Sequence, residues 1–221
     1  MASKTDFVQV KDAQREIGGA MLILDLEQGT EDWLAARRGI PTASNFDKIL
    51  TPTGQPSRQA EGYMNRLLAE WLMGKSVDIE KTEWMQRGND LEHQARAYYT
   101  FVTDVEARTV GLVYRDDRKL VACSPDGLVG DDGGLEIKCP APWTHVGYLL
   151  DGKLPTDYIP QVQGNMLVTG RSWWDFLSFH PDMEPLLVRV PRNEEYCAKL
   201  DVALNMFITR MLECRERLRK P

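Results

Sequence analysis

Between residues 109 and 139 the apolar pattern of the chain changes period, and that change limits the folds open to it. TVGLVYR (109–115), KLVACS (119–124) and GLEIKC (134–139) are short, aliphatic or β-branched, and separated by turn residues, which is how strands read. The chain before them has helical spacing. TEDWLAARRG (30–39) opens on Thr30 with two acids in its first turn and stops at Gly39. TASNFDKIL (42–50) reads as a short helix capped by Thr42 or Ser44, and longer helices follow at 57–73, ending at Gly74, and at 83–102. Beyond the strands, DYIPQVQGNMLVT (157–169) reads as a helix with Pro160 near its start. SWWDFLSFH (172–180) and PLLVRVP (185–191) read as strands, and 194–217 as a C-terminal helix. Helices, a small sheet, then a helix and more strands predict a mixed α/β (α+β) fold, with the three central strands adjacent in a meander. No repeat, low-complexity tract or linker interrupts the chain. Residues 1–221 are therefore expected to form a single domain, with 1–20 a flexible or subunit-contact segment.

No apolar run approaches the roughly 20 residues of a membrane span. The opening MASKTDFVQVKDAQREIGG lacks the apolar centre of a signal peptide. A cytoplasmic protein is expected. Four cysteines and three histidines are scattered without CxxC or HExxH, which argues against zinc. Cys123 and Cys139 lie in strand-like runs and read as small buried hydrophobes. The net charge of −6 weighs against binding nucleic acid by overall positive charge. A nucleic-acid substrate would need locally concentrated basic groups or a bound metal.

LEIKCP (135–140) puts Leu135, Ile137 and Cys139 on one face and Glu136 and Lys138 on the other, because side chains of an extended chain alternate. A glutamate beside a lysine is either a solvent-facing ion pair worth about 0–1 kcal/mol or a site that uses both charges. The six residues alone do not choose. Asp126 stands in CSPDGL, and Pro-Asp-Gly by itself is turn chemistry. A meander would bring its carboxylate close to Glu136 and Lys138. Two carboxylates and a lysine suit Mg²⁺, which takes carboxylate oxygens, waters and substrate phosphate. Such a metal polarises a phosphoryl group and acidifies water, while the lysine orients that water or offsets negative charge.

Glu92, in RGNDLEHQAR, shares a helix face with Gly88 and Arg96. It reads as half of a surface pair or as a third acid of the same site. Arg37 and Ser44, in WLAARRGIPTASNF, are either an exposed arginine and a capping serine or a phosphate receptor at a helix start. Gln161 and Gln163 point roughly 200° apart on a helix, so at most one faces a given site. MGKS (73–76) resembles the end of a P-loop, but the first glycine position falls on Ala69 and the stretch follows a helix. It reads as a helix C-terminus.

In order and spacing, SPDGL followed by LEIKCP resembles the PD-(D/E)xK nuclease signature. Five collinear segments, WLAARRGIPTAS, RGNDLEHQAR, RTVGLVYRDD, VACSPDGLVGDDGGLEIKCP and YIPQVQGNMLVTGRSWW, resemble the phage lambda exonuclease family of alkaline exonucleases, or YqaJ-type viral recombinases. The resemblance implies a restriction-endonuclease-like core with a small central mixed sheet flanked by helices. It also implies a Mg²⁺-dependent exonuclease that digests the 5′-ended strand of linear duplex DNA, 5′ to 3′, and leaves a 3′ tail for a single-strand annealing protein. Two Mg²⁺ per site, replaceable by Mn²⁺, and a ring-shaped homotrimer around DNA belong to the same expectation. Residue by residue, Asp126 and Glu136 match the metal-binding acids, with the backbone carbonyl of Ile137 a further ligand. Lys138 matches the lysine that positions the attacking water. Glu92 matches the helical acid, reaching metal directly or through water, and Gln161 the glutamine that orders the water, with Tyr158 its weaker neighbour. Arg37, Ser44 and Ser124 match the pocket for the 5′ phosphate. Arg37, Arg38 and Lys48 are candidates for a basic ring lining. The rivals are another nuclease on the same core, such as a single-strand exonuclease or structure-specific endonuclease, and a catalytically silent DNA-binding protein.

Overall fold

Two sheets, instead of one meander, receive the central strands. The computed structural model describes residues 15–16, 21–77 and 83–219. Its elements are β1 (Arg15–Glu16), β2 (Leu22–Leu24), α1 (Glu31–Arg37), a 3₁₀ segment (Ala43–Lys48), α2 (Ala60–Met73), α3 (Glu83–Thr103), β3 (Ala107–Arg108), β4 (Leu112–Tyr114) and β5 (Ala122–Cys123). There follow β6 (Gly127–Val129), β7 (Gly133–Lys138), α4 (Pro142–Asp151), a 3₁₀ turn (Thr156–Tyr158), α5 (Ile159–Thr169), β8 (Trp173–Ser178), β9 (Leu186–Pro191) and α6 (Glu194–Arg219). One sheet is ordered β1-β2-β4-β5, the other β3-β6-β7-β8-β9. Among the strands of the described residues only the β7–β8 pair is parallel. The mixed α/β class holds, and among the described residues no helix is long and apolar enough to cross a membrane. Residues 1–14 and 17–20, most of the expected flexible or subunit-contact segment, lie outside the described residues.

The meander is corrected at its middle. β5 pairs with β4, and the partner of β7 is β6, in register Gly127 with Leu135. Pro-Asp-Gly is therefore the crossover between sheets, and the turn comes later, at residues 130–132. Leu128 and Val129 hide β6 from pattern reading, because one is buried in each of two separate cores and no polar alternation marks the strand. The segment expected as a helix at 42–50 is also corrected. Ala43, Phe46 and Ile49 are all buried at a spacing of three, the period of a 3₁₀ helix. β1, β2, β3 and α4 were not foreseen from the sequence.

α5 supports both sheets. Its Val162 and Met166 are fully buried among Val113 of β4, Cys123 of β5, Trp174 and Phe176 of β8, and Phe46 of the 3₁₀ segment. Burying each such aliphatic side chain contributes about 1.5–3 kcal/mol. The other face of the larger sheet is covered by α3, where Ala95 and Tyr99 meet Leu135, Ile137 and Leu177. Alternation along β7 thus sends Leu135 and Ile137 toward α3 and Glu136 toward α5. α1 covers the smaller sheet through Trp33 and Ala36, against Leu112, Tyr114 and Ala122.

Candidate active site

Glu136 is 2% exposed, so an acid stands where an apolar residue would be ordinary. Every bond it makes is to a donor. Its Oε1 accepts from Lys138 Nζ and from Gln161 Nε2, each at 2.5 Å, and its Oε2 accepts from Asn165 Nδ2 at 3.0 Å. Gln161 and Asn165 are one turn apart on α5, which brings both to the same face. Gln163 points away, as the helical spacing predicted, donating to the carbonyl of Pro191 and accepting from the Asn193 N–H. Lys138 Nζ also lies 5.2 Å from the centre of the Tyr158 ring. Burial disfavours the lysine charge, but Glu136 and Asp126 outweigh it and hold Lys138 above the ordinary lysine range.

Asp126 reaches the same strand from its edge. β6 begins only at Gly127, opposite Leu135, so the N–H of Ile137 lies beyond the β6–β7 ladder, and Asp126 Oδ2 accepts it at 2.5 Å. In a strand the N–H and C=O of one residue leave on the same side, so the Ile137 carbonyl points to the edge occupied by Asp126. Burial first, then the charge of Glu136, push the Asp126 carboxyl well above its ordinary range, with Glu92 adding to the rise and Lys138 opposing it. Glu92 is tied in by Arg96, whose Nη2 donates to Glu92 Oε1 at 3.0 Å and to the backbone carbonyl of Asp126 at 2.6 Å. The helical pair of Glu92 with Arg96 and the acid near the site are therefore the same structure.

The second cluster lies at the N-terminal side of Asp126. Arg37 Nη2 donates to Thr42 Oγ1 at 3.0 Å and to Ser44 Oγ at 3.3 Å, and its guanidinium lies 4.1 Å from the centre of the Trp33 ring. Trp33 Nε1 donates in turn to Ser124 Oγ at 3.1 Å. Trp33 is thus the link between Arg37 and Ser124, two residues before Asp126. A cavity of about 400 Å³ opens here, lined among others by Arg37, Arg38, Ser44, Tyr63 and Arg66. Burial lowers Arg37 from its ordinary value and pushes the Tyr63 phenol up to about 12, where it accepts from the Thr42 N–H. The expected helix N-terminus is absent, since a single 3₁₀ segment follows Thr42 and makes no side-chain cap there. Anion recognition would rest on the side chains. Lys48, expected among the basic lining, faces Asp47 at 3.4 Å.

The structure therefore gathers Asp126, Glu136, Lys138 and Gln161 at β7, connects Glu92 through Arg96, and groups Arg37, Ser44 and Ser124 around Trp33. Asn165, Arg96, Trp33 and Thr42 were not foreseen as members. Asn165 and Arg96 each carried a signal, the one four residues after Gln161 and the other four residues after Glu92. MGKS is the end of α2, with Gly74 in the left-handed region at φ 64°. None of the four cysteines is in a disulfide, and Cys123 is buried.

The donor set suits a hard cation. It consists of carboxylate oxygens and a strand-edge carbonyl, as Mg²⁺ requires. Carboxylates crowded enough to lift Asp126 would be relieved by a positive ion. Among the described residues no three His, Cys, Asp or Glu side chains converge into a group that would by itself hold a metal. Mg²⁺ is commonly held by one or two carboxylates, with waters and substrate phosphate completing its shell.

Residues 32–172 match the model of the YqaJ-like viral recombinase domain. The chain is similar to an alkaline exonuclease, LHK-Exo, from Laribacter hongkongensis, with 35% identity and a TM-score of 0.79 over 86% of this chain and 97% of that one. The same exonuclease in complex with dAMP aligns equally well, at 34% identity. A phage-related exonuclease from Haemophilus somnus shares the fold at 14% identity and a TM-score of 0.60, over 81% of this chain and 96% of that one. An uncharacterized protein of Acanthamoeba polyphaga mimivirus is 31% identical over 169 residues, 70% of this chain, and the chain spans 29% of that relative's length.

Proposed function

The chain belongs to the YqaJ-like viral recombinase family, that of lambda exonuclease, and on that premise we propose that it is a Mg²⁺-dependent exonuclease that resects linear duplex DNA from 5′ to 3′. The observation that carries the reading is the buried Glu136, whose Oε1 is shared by Lys138 and Gln161, beside an Asp126 fixed to the next backbone N–H.

Asp126, Glu136 and the Ile137 carbonyl would hold the metal, with Glu92 next to them. Bound there, Mg²⁺ would polarise the scissile phosphoryl group and acidify the attacking water. Lys138 supplies a cation at the position where negative charge develops, and its Nζ orients the water together with Gln161. Arg37 with Ser44, and Ser124 through Trp33, receive the terminal 5′ phosphate, an arrangement of charge-assisted bonds that arginine favours. A phosphate seated there, two residues from Asp126 along the chain, sets the next linkage against the acids. That gives the polarity a physical origin. The same reading includes a homotrimeric ring around the duplex, an annealing protein that takes the 3′ tail, and action in the cytoplasm of a bacterial host.

The test is digestion of a linear duplex labelled separately on each strand, with 5′-phosphate or 5′-hydroxyl ends, in Mg²⁺, with Asp126→Ala as the control. Loss of the phosphorylated 5′ strand alone, abolished by the substitution, is the expected result. Cutting that ignores the terminus would overturn the phosphate pocket, cutting of circular or single-stranded DNA alone would favour the other nucleases, and no cutting in Mg²⁺ or Mn²⁺ would favour a silent binding protein.

A further inference from the structure

The two oxygens of Glu136 have different surroundings. Oε1 meets Lys138 and Gln161, both only partly buried, while Oε2 meets Asn165, which is 1% exposed. One side of the carboxylate faces the opening of the site and the other faces the interior of α5. A glutamate's last torsion is broad and roughly two-fold, so nothing in the side chain itself decides which oxygen faces outward.

We infer that Asn165 is a positioning residue that pins Oε2 of Glu136 and so keeps Oε1 turned toward Lys138, Gln161 and an incoming cation. The inference rests on Glu136 being a metal ligand, as proposed above. Lys138 and Gln161 reach the opening and can release Oε1 to an ion or a water. Asn165, 1% exposed, has no such freedom. Its bond is the part of the arrangement that persists when Oε1 changes partners. A ligand held by an outer partner binds metal in one orientation instead of several.

The test is calorimetric titration of the wild-type protein, Asn165→Leu and Asn165→Ala with Mg²⁺ and with Mn²⁺ alone, alongside melting curves and DNA kinetics. Leucine has the branched shape and heavy-atom count of asparagine, is bulkier by its methyl groups and lacks the donor, and alanine removes the donor without adding bulk. The expected result is metal binding weakened roughly ten- to hundredfold in both variants, a matching rise in the metal concentration needed for cutting, and an unchanged KM for DNA. Variants that melt lower but bind metal as the wild type does would show a purely structural role and overturn the inference. Wild-type protein that binds neither ion would overturn the metal reading and this inference with it. A crystal of the wild type grown with Mg²⁺ decides the matter even if both variants fail to fold. Oε1 on the ion with the Asn165 bond kept supports positioning; both oxygens on the ion with Asn165 turned away refutes it.

Discussion

Gly164 lies where α5 crosses the 3₁₀ segment, and replacing it with alanine should push apart the two halves of the proposed site. A Cβ at Gly164 would fall 2.4 Å from Cδ2 and 2.8 Å from Cε2 of Phe46. Carbon atoms rest at about 3.5–4.0 Å, so the shortfall is about 1 Å. Phe46 is fully buried and its ring has no solvent to swing into. The backbone of the segment must move, and it carries Ser44 and follows Thr42. Overpacking of this kind costs about 1–3 kcal/mol, against about 1 kcal/mol gained from replacing a mid-helix glycine. The net loss is about 0–2 kcal/mol, or up to about 8 °C in Tm for a chain of this size. Gly62, exposed on α2 with nothing within 4 Å of an added Cβ, supplies the control, since Gly62→Ala should raise Tm by about 2–4 °C. Melting is compared at one protein concentration, because association shifts Tm. Displacement of the segment by an ångström should also reduce the preference for 5′-phosphorylated ends in Gly164→Ala, while Gly62→Ala keeps it. A Gly164→Ala protein that gains stability as Gly62→Ala does, with its terminus preference intact, would refute the packing argument.

Arg37→Ala should raise KM for 5′-phosphorylated duplex by about 10–100-fold, from the loss of one charged hydrogen-bonding group worth about 1.5–3 kcal/mol, and leave 5′-hydroxyl substrates nearly unchanged in steady-state assays. Arg37→Lys should recover little of this, because the ammonium neither forks nor stacks on Trp33 as the guanidinium does. In chelator, Asp126→Asn should melt higher than the wild type at pH 8. The folded wild type binds the Asp126 proton more tightly than the unfolded chain does, so its stability falls as pH rises from the ordinary carboxylate range upward, and the difference should shrink near pH 4 or when Mg²⁺ is added. Equal melting of the two proteins at pH 8 in chelator would count against crowding at Asp126. Glu70→Ala should lower unfolding free energy in urea by about 1–3 kcal/mol, because this buried carboxylate accepts from the N–H groups of Gly39 and Val77.

Much of the site was legible because its residues obey local periods. A period of two put Glu136 and Lys138 on one face of β7 and the apolar Leu135 and Ile137 on the other, and the lower exposure of Glu136 than of Lys138 follows from its place deeper in the strand. A period of 3.6 separated Gln161 from Gln163, and α5 sends one to Glu136 and the other to β9. What failed were assignments to short segments without a period of their own. β6 is buried on both faces and shows no alternation, and the 3₁₀ segment differs from an α-helix only by which of its residues meet the core.

The amino-acid sequence by itself determined the mixed α/β class, the strand that bears the acid and the lysine, the helix that bears the glutamine, and the order of the motifs that mark the family. Each of these depends on contacts within a few residues. The tertiary structure decided that Asp126 stands at a crossover between sheets and caps the Ile137 N–H. It also decided that Arg96 joins α3 to that crossover, that Trp33, which lies against Arg37, bonds Ser124 91 positions further along the chain, and that Asn165 holds the second oxygen of Glu136. These partners are chosen by how helices and sheets pack, and packing brings together residues whose separation along the chain carries no record of it.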